Sequence, residues 1–156
     1  MVSFVIGIHA ALGEMSAIGF LWIFIELLNP SAKGIKRIRI ISLISVMMLF
    51  LSWFSGGYYY TNTYGKEVKP LIEDGPNPWA HEVFMETKEH VFLFLPILSL
   101  LTYYIIKKYE INLIKNKELR KYIILLCLMI FLLAFAMGAM GYLISSGARA
   151  AMEAKL

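Results

Sequence analysis

The chain alternates between long apolar runs and short polar stretches, and the runs are the length of membrane spans. Four are readable: Ser3 to Leu28, Ile38 to Tyr58, Phe84 to Ile106 and Tyr122 to Ser145. About 20 apolar residues are needed to cross a hydrocarbon layer of about 30 Å as a helix. In that layer every backbone N–H and C=O must be paired within the chain, so each run is predicted to be a helix. The strict alternation of barrel strands is absent.

Breakers separate the runs. Asn29-Pro30 ends the first helix. Gly56-Gly57 and Tyr58-Tyr59-Tyr60 end the second, with tyrosines suited to a membrane–water interface. Residues 59–77 are polar and hold Pro70, Pro76 and two glycines, which predicts an outer loop with turn chemistry. Asn77-Pro78 supplies a helix-capping residue and a first-turn proline, so the third helix is placed at 78–106. It would be about 43 Å long, longer than the hydrocarbon is thick, so its first turns should project beyond it. Pro96 should kink it. The fourth helix is placed at 122–145.

The expected architecture is an all-α membrane protein: one domain over 1–156, four transmembrane helices in an up-down-up-down bundle. The first run lacks a preceding basic residue, exceeds a signal sequence's apolar core in length and carries His9 and Glu14, so it is expected to be a retained helix.

Composition agrees: 59% of residues are hydrophobic and 17% charged. Of the fifteen Lys and Arg residues, ten fall in two connections. Lys33, Lys36, Arg37 and Arg39 follow the first span; Lys107, Lys108, Lys115, Lys117, Arg120 and Lys121 follow the third. That asymmetry predicts both connections to be cytoplasmic and both termini outside, as in a prokaryotic cytoplasmic membrane. The net charge of +4 is thus a topology signal, and no nucleic-acid-binding fold accompanies it. The single cysteine, Cys127, forms no internal disulfide and fits no thiolate metal motif.

The chain has three histidines, His9, His81 and His90. At 100° per residue, Ala10, Gly13, Ser16, Ala17 and Phe20 lie within about 120° of His9 on the first helix. Ser42, Ser45, Ser52 and Gly56 form a stripe on the second helix, and Cys127, Ala134, Gly138, Gly141 and Ser145 on the fourth. Small stripes suit close helix packing; they also clear room for a flat cofactor. His90 shares its face with Val83, Glu86, Phe94 and Ile97. A His9–His90 pair at similar depth predicts a b-type haem held by two imidazoles, with Gly13, Ser16, Phe94 and Gly138 around the macrocycle. The chain would then be an electron-transfer subunit near the outer face, exchanging electrons with a quinol or a partner cytochrome, rather than a stand-alone enzyme.

Two alternatives come from the same residues. Glu82, Glu86 and His90 recur every four residues and could ligate iron, copper or zinc. The lack of any soluble domain or nucleotide motif instead suits a non-catalytic accessory subunit of a larger membrane complex, or a homo-oligomer. Glu14, near the middle of the first span, and His81, expected at the interface, are candidates for a proton relay. Isolated acids in hydrocarbon are costly, so Glu14 should be neutral or partnered.

Overall fold

The computed structural model describes residues 4–156, and every regular element among them is helical. The predicted start of the first span at Ser3 lies outside those residues. Four helices are long and apolar enough to cross a membrane: α1 (Phe4–Leu28), α2 (Ala32–Glu73), α3 (Ala80–Tyr109) and α4 (Lys117–Glu153). A short helical turn, Asn112–Lys115, precedes α4.

Side-chain oxygens start two of the helices. Ser31 Oγ accepts from Gly34 N at 3.0 Å and Asn116 Oδ1 from Leu119 N at 3.0 Å, each satisfying an otherwise unpaired first-turn donor. In α3 regular geometry lapses at Leu93, between Glu86–Phe92 and Phe94–Tyr109. Pro96 has no N–H to give the Phe92 carbonyl four residues back, which explains the interruption.

Residues 59–77 differ from the expected loop. α2 continues without a break to Glu73, and only 74–79 turn the chain. Residues Tyr60–Val68 adopt the wider π-helical ladder, as do Ala80–Met85 across from them. Pro70 stands at the start of the regular turn that follows, where its missing N–H is tolerated. The fourth helix likewise runs well past both ends of its predicted span.

α1 packs chiefly on α2 and then on α4, while α3 packs on α2 and α4, so the four helices form a closed ring. The α1–α2 seam is built from small and hydroxyl residues. Ser16 Oγ donates to Ser45 O at 2.9 Å, and a Cβ on Gly19 would collide with Ser45 Oγ. Partners pair in opposite chain order along the seam: His9 with Ser52, Ser16 with Ser45, Glu26 with Arg37.

Two apolar cores result. The larger lies within the spans and includes Phe20, Ile23, Ile38, Leu95, Ile106 and Ile130. The smaller, around Tyr64, Ile72, Ala80 and Ile144, joins the far ends of α2, α3 and α4. There Gly147 lets Ala80 approach so closely that an added Cβ would stand 2.6 Å from the Ala80 Cβ.

Gly19→Leu should therefore destabilise the bundle by about 1–3 kcal/mol through overpacking. Gly57→Leu, where a new Cβ meets nothing within 4 Å, should stay within about 0.5 kcal/mol of the parent. Unfolding titrations in mixed micelles measure both; equal effects would contradict the seam.

Candidate functional site

His9 is fixed by a reciprocal pair of hydrogen bonds to α2. Its Nδ1–H donates to Ser52 O at 2.8 Å, and Ser52 Oγ donates to His9 O at 2.8 Å. The imidazole lies against Gly56, where a Cβ would stand 2.6 Å from Nδ1. From the diagonal helix, Phe92 meets the ring edge-on with centroids 5.6 Å apart. Lys88, one turn earlier on α3, reaches α4, with Nζ 3.1 Å from where a Gly141 Cβ would be. Lys88 has no acidic partner within ion-pair distance among the described residues.

This arrangement does not bring His9 and His90 together. Phe92 faces inward to His9, so His90, two residues and about 200° away, faces outward. The rest of the His90 face agrees: Val83, Phe94 and Ile97 are 53%, 69% and 67% exposed. The His90 Nδ1–H turns along its own helix to Glu86 O at 2.7 Å. Gly13 and Ser16 are spent on helix packing: a Cβ on Gly13 would stand 3.3 Å from Ser52 Oγ, and Ser16 is bonded to Ser45. Gly138 lies on the exterior of α4, facing open space. The residues expected to line a haem thus point to different surroundings, and they do not fit a haem held between His9 and His90.

Glu82, Glu86 and His90 do share a face. They line an open exterior groove with Val83, Thr87 and Val91. Among the described residues, however, no three His, Cys, Asp or Glu side chains converge to hold a metal ion.

His81, expected at the interface and solvated, is instead 2% exposed. Tyr64, also 2% exposed, lies across from it with Oη 3.0 Å from His81 Nδ1. Donation from the phenol to Nδ1 pairs the two groups with the imidazole in its Nε2–H tautomer. Nε2 then carries the imidazole hydrogen and faces Glu73 Oε1 at 3.7 Å, with Lys69 Nζ 3.8 Å from that same oxygen. Tyr60 stacks on Tyr64 with centroids 5.5 Å apart. The result is a buried Tyr64–His81 hydrogen bond with a half-exposed carboxylate 3.7 Å beyond it, where both π-helical segments meet.

Tyr64, Glu73 and Lys88 did not stand out as site residues in the sequence. One signal was present for Tyr64: Tyr60, Tyr64, Val68 and Ile72 recur every four residues, the mark of one helical face running through the supposed loop.

Glu14 occupies a different place. It lies on the exterior of α1, roughly 15 Å along the helix. Its surroundings there are Gly7, Ala10, Ala11 and Ile18, all of them exposed as well. Among the described residues it has no hydrogen-bond or ion-pair partner.

Comparison with protein-family models, with curated proteins and with solved structures finds no match.

Tyr64→Phe should leave a buried imidazole nitrogen unpaired and destabilise the joined ends of α2 and α3 around it by about 1–3 kcal/mol. Amide exchange should accelerate over 60–85 and not in the spans. Adding His81→Leu should recover part of the loss, since both polar partners are then gone. Unchanged exchange in Tyr64→Phe would show that the bond contributes nothing.

Proposed function

We propose that the chain is a non-catalytic membrane subunit that assembles with further transmembrane helices, through the exterior of α1. Glu14 carries this reading. A carboxyl at the centre of a span costs about 3 kcal/mol to insert, and intramembrane acids usually face a bundle interior or a partner. Here the acid faces away from its own bundle. Gly7, Ala10 and Ala11 beside it allow another helix close approach. A second copy and a different subunit both satisfy that requirement.

The opposite order of contacts between neighbouring helices supports an up-down-up-down bundle. The clustered basic residues favour a placement with both termini outside, in a prokaryotic cytoplasmic membrane. The electron-carrying role, with quinol or a partner cytochrome, loses its support along with the haem geometry.

A second reading has its own observation. The Tyr64–His81–Glu73 cluster pairs an amphoteric imidazole with an acid that reaches solvent, which suits proton handling at the outer end of the complex.

Gently solubilised membranes should show the tagged wild-type chain migrating well above protomer size on native gels. Glu14→Leu should weaken the assembly about threefold to thirtyfold, and Glu14→Gln should weaken it less because the amide still hydrogen-bonds. A wild-type chain that runs as a bare protomer, or a Glu14→Leu assembly of unchanged strength, would falsify the proposal. Native mass spectrometry of the assembled species reads its composition.

A further inference from the structure

At the basic end of the bundle, α2 and α3 part to leave a groove of about 360 Å³ on the exterior. Its lining is Arg39, Ile40, Leu43, Ile44, Tyr103 and Lys107. The order of these side chains along the helices matters. Arg39 and Lys107 form the end of the groove nearest the basic connections. Leu43 and Tyr103, each one turn further into its span, lead toward the middle of the bilayer. Ile40, Leu43 and Ile44 are 56%, 40% and 40% exposed. The groove is therefore cationic at headgroup depth and apolar at acyl depth.

The two cations have donors to spare. Arg39 Nη1 stands 2.9 Å from Glu110 Oε1, but the pair is misaligned and that oxygen receives no hydrogen bond. Lys107 has no acidic partner within ion-pair distance among the described residues. Its Nζ instead lies 5.9 Å from the Tyr103 ring centroid. Two other basic side chains at this end are better satisfied: Arg37 bonds Glu26 at 2.7 Å, and Arg120 donates to the Leu113 and Ile114 carbonyls. Even with Glu110 counted against Arg39, the mouth of the groove keeps the positive charge of Lys107.

We infer that this groove binds an anionic phospholipid, with its phosphate on Arg39 and Lys107 and an acyl chain along Ile40, Leu43 and Ile44. Charge complementarity selects the headgroup. A zwitterionic lipid adds an ammonium that the lysine repels. A free phosphate would gain from the cations but leave the apolar wall bare. Basic pockets between spans at the membrane surface recognise anionic headgroups on this physical ground, and each cation near such a surface is worth about a fivefold change in binding.

The full-length protein, delipidated in detergent, tests this by native mass spectrometry with phosphatidylglycerol or phosphatidylcholine added at equal concentration. One phosphatidylglycerol should be retained preferentially. Lys107→Ala and Arg39→Ala should each weaken retention about fivefold, and the pair more than tenfold. Arg39→Lys should keep most of it, and Lys66→Ala, far from the groove, all of it. Leu43→Trp, which fills the apolar wall without changing charge, should weaken phosphatidylglycerol as well. Thermal unfolding without lipid confirms that each variant is folded. Equal retention of the two lipids overturns the inference, as does retention indifferent to Arg39 and Lys107. So does displacement of the lipid by millimolar inorganic phosphate together with indifference to Leu43→Trp, which would mark a simple anion site.

Discussion

The reciprocal bonding of His9 and Ser52 is the contact on which the arrangement of the helices around it depends. Each side chain bonds the other's backbone carbonyl, so two helices are joined in register by donors that hydrocarbon could not otherwise satisfy. Gly56 and Gly13 supply the clearance that lets the ring and the hydroxyl reach across. With the imidazole held flat on α2, its inward edge meets Phe92 of α3. With Phe92 turned inward there, His90 faces outward and Lys88, one turn earlier, faces α4. The two apolar cores then lie on either side of a layer that contains His9, Ser52 and Lys88.

The existence of four apolar helices was legible because length and hydropathy suffice for it. So was part of the seam: Ser42, Ser45 and Ser52, which share a stripe on α2, are all buried. The direction of the His90 face was not. In water an apolar face marks the core, but in a bilayer the exterior is apolar too. Phe94 and Ile97 beside His90 looked like cofactor neighbours and are in fact exterior residues. The pattern that does mark the interior is polar and small, which is why Gly13, Ser16 and Ala17 turn inward beside His9, although Ala10, at the edge of the same sector, is exposed. His9 had a nearer partner, a carbonyl on α2, than any macrocycle.

The stretch after Gly57 was obscured for a separate reason. Turn-forming residues such as Gly65 and Pro70 outweighed a four-residue apolar repeat that needed α3 and α4 to bury it. Tertiary packing against Ala80 and Ile144 holds Tyr64 and Ile72 in a helix that local propensity alone would not have favoured. The widened ladder also explains why a spacing of four, rather than 3.6, keeps those side chains on one face.

Because the loop became helix, α2 is a single unjointed strut of 42 residues. At helical rise it is about 60 Å long, roughly twice the hydrocarbon thickness. One of its ends carries Arg39 and the other Tyr64 and Glu73. A rod without a hinge cannot tilt at one end only. Rocking it 10° about its centre would swing both extremities by roughly 5 Å in opposite directions. Moving as one body, it would carry a displacement at one face of the membrane, reversed, to the other, as the arms of a seesaw do.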